Sequence, residues 1–149
     1  MLFRSTVWPL WGADSAQSFP HDGKHPGFRD FFPDFGGYRF IVMSLPPDSD
    51  GGVATGSMPD TMTPEQEARL GVLSNHSAEP DHPGMHRTDT VDFEIVIDGE
   101  AGLEFDDGKT IILRRGDCFV QNGTRHRWFN PGSVPAIVAC VILGGHPRK

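Results

Sequence analysis

Three side chains in the C-terminal half combine residue types and spacing that chemistry can use. His86 stands just ahead of a run of strand formers, Asp92 lies six residues later inside that run, and His126 follows a Gly-containing turn. Two imidazoles and one carboxylate form the ligand set of open non-haem metal sites, which leave coordination positions free for substrate or oxygen. The same residues also suit metal-free chemistry with His126 and Asp92 as a proton-transfer pair, or a pocket in which the histidines are satisfied polar groups. Side chains alternate along a strand, so Asp92, Glu94 and Val96 share one face. Two carboxylates turned into an interior are costly unless they find partners. His126 and Trp128 also share a face, setting an indole beside the imidazole in a partly apolar pocket. Arg125 and Arg127 alternate away from them, toward solvent or an interface. Asp117 reads as a turn-shaping residue. His76 and His82 are expected in a solvated loop, with His21, His25 and His146 on the surface.

The elements that must position these residues are nearly all strands. Between residues 86 and 143, candidate strands fall at 91–97, 101–106, 110–114, 117–121, 125–130 and 136–143. They are broken at Asp98-Gly99, Asp107-Gly108, Arg115-Gly116, Asn122-Gly123 and Pro131-Gly132. Turns this closely spaced mark a compact antiparallel sandwich or barrel. Upstream, Tyr38 to Ser44 (YRFIVMS) forms one more strand, stopped by Pro46-Pro47. A short surface helix is predicted over 63–74. Thr63 caps it with capping-box spacing to Gln66, Pro64 takes its first position, and Glu65 and Glu67 lie in its first turn. Residues 1–37 hold many aromatic residues but little periodicity, so they are read as an irregular arm packed on the body or on a neighbouring subunit. Residues 38–149 then form a single domain with the helix inserted.

Composition agrees with short strands and narrows the function classes. The 149 residues include 18 Gly and 13 Pro, too many for a bundle of long helices. Eleven Phe and three Trp, within 37% hydrophobic residues, supply the apolar surface a disordered chain lacks. Thirteen Lys and Arg against 20 Asp and Glu give a net charge of −7, with no basic stripe to neutralise phosphates, which argues against nucleic acid as a partner. No apolar run is long enough to span a bilayer, and Arg4 and Pro9 break the apolar start, so neither membrane nor export is expected and the cytoplasm is the default. Cys118 and Cys140 sit in apolar runs without metal-finger spacing and are read as buried, reduced thiols.

The stretch from His86 to Asn130 resembles the two signature motifs of the cupin superfamily, small jelly-roll β-barrels. In HRTDTVDFEIVIDG, His86 matches the first His of the first motif, Thr88 stands at the second His, Asp92 at the Glu and Gly99 at the closing Gly. In GDCFVQNGTRHRWFN, Gly116, Asp117, Gly123, His126 and Asn130 match the second motif, with Gln121 in place of its Pro. The resemblance covers about a third of the chain. It implies an all-β, cupin-type double-stranded β-helix with an irregular N-terminal arm. It also implies a divalent ion (Fe, Mn, Zn or Ni) held by His86, Asp92 and His126 in a pocket lined by Thr88, Glu94, Trp128 and Gln121. The expected function is a small-molecule enzyme catalysing oxygenation, decarboxylation, dehydration or isomerisation of a small organic substrate, with apolar or aromatic character suggested by Trp128 and Phe129. The alternatives are a metal-free acid–base enzyme with His126 and Asp92 catalytic, or a non-catalytic binding or sensing module. A homodimer joined through the aromatic arm is the expected assembly.

Overall fold

The computed structural model describes residues 6–28, 30–50, 82 and 84–146. Eight strands and one 3-10 turn make up its regular structure: β1 (Thr6–Ala13), β2 (Tyr38–Leu45), the turn Asp48–Asp50, β3 (Thr90–Asp98), β4 (Glu100–Phe105), β5 (Thr110–Arg114), β6 (Cys118–Asn122), β7 (His126–Phe129) and β8 (Ala136–Gly144). They form two sheets, one of five strands in the order β1-β2-β8-β3-β6 and one of three in the order β5-β4-β7, and every named pair is antiparallel. This is the all-β jelly-roll arrangement, and the strand boundaries lie within a residue or so of those expected. The helix predicted over 63–74 lies outside the described residues. Among the described residues no helix is long and apolar enough to cross a membrane.

The turns are built as the Gly pattern required. Gly99 joins β3 to β4 at φ +74°, a conformation that L side chains avoid, and a Cβ there would lie 2.8 Å from the carbonyl oxygen of Pro135. Asp117 shapes its turn by accepting a hydrogen bond from the backbone N–H of Arg114 at 2.8 Å. Asn130, buried at the end of β7, clamps three connections. Its Nδ2 donates to the carbonyls of Leu45 (2.8 Å) and Val134 (2.9 Å), and its Oδ1 accepts from the N–H of Gly132 at 2.8 Å. Asn130→Ala removes the donor to the buried Leu45 contact and to the partly buried Val134 carbonyl and is expected to cost about 2 kcal/mol. Thermal unfolding followed by circular dichroism should show a Tm roughly 4–8 °C lower; an unchanged Tm would dismiss the clamp.

The first 37 residues are more regular than their sequence suggests. Thr6–Ala13 pairs with β2 as an edge strand, with a register shift between Pro9 and Trp11. Pro9 is tolerated there because an edge strand leaves one row of backbone groups unpaired, and the irregularity erases the period-2 alternation that marks a strand in sequence. The described remainder of the arm, 14–28 and 30–37, runs without strands and is tied down by Arg39 of β2. That guanidinium is 1% exposed; it donates to Asp14 Oδ1 (2.7 Å) and to the carbonyls of Ala13 (2.6 Å) and Asp30 (2.7 and 3.0 Å). It also lies 4.3 Å from the centre of the Phe28 ring.

One apolar cluster fills the space between the sheets, and a second lies between the five-stranded sheet and the arm. Leu45, Val96, Ala101, Ala136 and Val138 form one, with Trp128, Met43 and Leu113 packed against it. Val7, Ile41, Cys140 and Ile142 form the other, covered by Phe31 and Phe32 of the arm. Cys140 is buried as expected, whereas Cys118 is exposed. Alternation on β6 turns the Cys118 side chain outward while Gln121, three residues on, points in.

Candidate active site

The interior polar residues lie in rows across the five-stranded sheet. Arg39, Ile142, Asp92 and Gln121 are cross-strand neighbours on β2, β8, β3 and β6; one row along, Ile41, Cys140, Glu94 and Phe119 repeat the arrangement. Asp92 and Glu94 are 5% and 6% exposed and Gln121 is fully buried. One oxygen on each has no partner: Asp92 Oδ1, Glu94 Oε2 and Gln121 Oε1. Three unpartnered oxygens on one interior face form a cradle for a polar molecule, because each unpaired buried oxygen otherwise costs on the order of 1–3 kcal/mol.

Burial sets the protonation of this cradle. The Asp92 carboxyl is pushed up to about 6 by burial, opposed by a hydrogen bond from Thr90. Glu94 is pushed up to about 8, first by burial and then by the charge of Asp92. At pH 7 the two carboxyls hold one proton in total, with Asp92 the ionised partner and Glu94 the acid. The Cys140 thiol, also raised by burial and by both carboxylates, stays protonated and points its Sγ at Glu94 Oε1 across 3.7 Å.

The two expected histidines come together from separate segments. His86 and His126 exchange backbone hydrogen bonds of 2.9 Å in an isolated antiparallel bridge, which brings their ring centres to 4.4 Å. Burial, and for His126 the neighbouring His86, keeps both rings neutral: His86 is lowered and His126 falls to about 4. Their tautomers follow from their partners. His86 Nδ1 lies 2.9 Å from the carbonyl of Gly84, which can only accept, so the proton is on Nδ1 and Nε2 carries a bare lone pair. His126 Nδ1 lies 2.7 Å from Gln121 Nε2 and 2.9 Å from the carbonyl of Thr124. Gln121 Nε2 also donates to that carbonyl at 2.7 Å, so turning the amide over would press two acceptor oxygens together. The amide N–H is therefore directed at His126, and the shorter contact cannot hold two opposed donors. Nδ1 accepts and His126 carries its proton on Nε2. One imidazole presents an acceptor and the other a donor.

A metal ion requires more than this pair. Among the described residues no group of three or more His, Cys, Asp or Glu side chains converges to hold one. His86 and His126 face each other, but Asp92 sits beside Gln121 on the opposite sheet, so the expected three-ligand set is not brought together. Among the described residues the three ligands an ion needs do not converge, and no chemical step is routed through one. Thr88, at the position of a family His, is buried and bonds the Thr90 hydroxyl at 2.8 Å. Trp128 packs on the apolar cluster around Val96. Glu94 is the acidic group whose weight the sequence hid: its place on the face of Asp92 is legible, but the apolar cross-strand neighbours that raise it are not. The arginines flanking His126 are ion-paired, Arg125 with Asp106 at 2.9 Å and Arg127 with Glu104 at 2.6 Å.

Two antiparallel sheets enclose these inward histidines and carboxylates. Residues 74–142 match the Cupin_2 family, described as a cupin domain, which supports the cupin superfamily for this chain. Curated relatives include oryzines biosynthesis cluster protein J of Aspergillus oryzae, 52% identical over 57 residues, 36% of this chain and 32% of that protein. Another is the cupin-domain-containing oxidoreductase virC of Hypocrea virens, 39% identical over 66 residues, 42% of this chain and 34% of that protein. The matched stretches span about a third of those relatives' length. A solved structure, a Cupin 2 conserved barrel domain protein from Salinispora arenicola, aligns over 92% of this chain and 73% of its own at 15% identity and a TM-score of 0.47.

Proposed function

We propose that this chain is a cupin-type enzyme that moves a proton on a small organic molecule held inside the barrel. Asp92 acts as the base and Glu94 as the acid. The observation that carries this reading is the buried pair of carboxyls, one ionised and one protonated at pH 7, each with an unpartnered oxygen on the interior face. A hydroxyl-bearing substrate would donate to the Asp92 and Gln121 oxygens and accept from the Glu94 acid, and a further acceptor group would meet the Nε2–H of His126. The histidines thus orient and the carboxylates transfer, in place of the His126–Asp92 pair that sequence alone suggests. Isomerisation, dehydration and decarboxylation all proceed by such transfers; general acid–base groups contribute about 10²–10⁴-fold. A biosynthetic small-molecule role agrees with the names of the relatives.

Those names also favour a second reading, a metal-dependent oxidoreductase using a divalent ion near His86 and His126. One experiment separates the two. Protein purified without a metal-chelating tag and treated with chelator is incubated in D2O with a panel of keto and hydroxy acids, and C–H exchange is followed by NMR. Exchange that survives the chelator and falls at least 100-fold in Asp92→Asn supports the first reading. Exchange or turnover that needs an added divalent ion overturns it.

A further inference from the structure

The arm delivers two phenylalanine rings to the stretch of the inner face where the carboxyls lie. Phe31 and Phe32 pack on the cluster of Val7, Ile41, Cys140 and Ile142. Cys140 and Ile142 are the buried cross-strand partners of Glu94 and Asp92. On its other side the Phe32 ring lies 6.4 Å from that of His86, tilted by 38°. The two rings thus reach from the flank of the acids to the imidazole. Arg39 fixes them there, because its Nε and Nη2 donate at 3.0 and 2.7 Å to the carbonyl of Asp30, the residue just ahead of Phe31. The aromatic residues that follow His126 lie elsewhere. Trp128 packs further along β3 and β8, beside Val96 and Val138, and the Phe129 ring covers Gly102.

We infer that Phe31 and Phe32 determine specificity, forming a wall that selects a substrate with an aromatic ring next to its reacting carbon. The inference rests on the acid–base reading for the chemistry and adds the class of molecule on which it acts. The two rings meet edge to face, 4.9 Å apart at 87°, and so present a face and an edge at right angles. A third flat ring can stack offset on the one and meet the edge of the other, which an aliphatic group cannot do. Both rings are only half-buried, so part of each is left for an apolar group to cover. An anionic tail does not fit this wall, since the Arg39 guanidinium is 1% exposed and already bonded to Asp14.

The test compares α-hydroxyacetophenone with hydroxyacetone, two α-hydroxy ketones that share the reacting methylene carbon and differ in phenyl against methyl. Dissociation constants on chelator-treated protein are read by ligand NMR, and C–H exchange in D2O gives KM and kcat alongside. The wild type is expected to bind the phenyl probe about 30-fold more tightly, a preference carried by KM. Phe31→Leu and Phe32→Leu should each narrow it about fivefold while circular dichroism shows a folded sheet. Phe32→Tyr, which keeps the ring, should retain it. Phe35→Leu, at an exposed ring of the same arm, should leave it unchanged. A preference that survives in the folded leucine variants overturns the proposal, as does equal or absent binding of the two probes. A cyclohexyl analogue that binds as tightly as the phenyl probe overturns it too, because the wall then selects bulk and not a flat ring. Phenyl-selective binding without exchange, lost in the leucine variants, upholds the wall and removes the acid–base reading.

Discussion

Glu94→Gln is expected to make the protein more stable at alkaline pH and to flatten its stability profile. The Glu94 carboxyl is at about 8 in the folded chain against 4.5 when free, so the folded state keeps a proton that the unfolded state releases across that interval. Stability from this group is fully present below pH 4.5 and is lost as pH rises through 8. The full shift corresponds to at most about 5 kcal/mol, at 1.36 kcal/mol per unit. Asp92, raised to about 6, adds a loss of the same sign lower in the range. Glutamine keeps the shape and never ionises, which removes the largest part of the slope. Urea unfolding at pH 5.5, 7 and 8.5 measures it. The wild type should weaken by several kcal/mol between the extremes and the variant by much less; parallel profiles would mean that Glu94 is not held as a buried acid. The same variant should lose turnover if Glu94 is the acid, so stability and activity move in opposite directions.

Arg39→Ala is expected to cost about 3–5 kcal/mol, the loss seen when one partner of a buried charged pair is removed. Asp14, Ala13 and Asp30 lose the donor they share, and the Phe28 ring loses its cation. Arg39→Lys should recover less than half, because one ammonium cannot span acceptors on both sides of the strand as the guanidinium fork does. Asp14→Asn should cost less than Arg39→Ala, since Asp14 is partly exposed and the amide oxygen can still accept. Denaturant melts rank the three variants, and the fluorescence of Trp8 and Trp11 reports whether β1 leaves the sheet first. A cost below 1 kcal/mol for Arg39→Ala would show that β1 pairing alone holds the arm.

Much of the fold was legible because strands and turns write local signals. Alternation placed Asp92 and Glu94 on one face, and Gly99 and Gly116 marked turns that need positive φ. β1 was not legible, because Pro9 and the adjoining register shift disturb its alternation. The site was legible in membership and not in arrangement. His86, Asp92, Glu94, Gln121 and His126 all fall inside the barrel, yet spacing could not say that Gln121 stands between Asp92 and His126. Nor could it say that His126 faces His86 without a third ligand.

The amino-acid sequence by itself determined the element type, the turn positions and the inward-facing residues, since each depends on neighbours one to four positions away. Tertiary structure alone decided the proton positions. Which carboxyl is the acid, which imidazole nitrogen donates and which guanidinium holds the arm depend on desolvation and on partners across the sheets. Those partners lie tens of residues away in the chain, and only the paired strands bring them within a hydrogen bond.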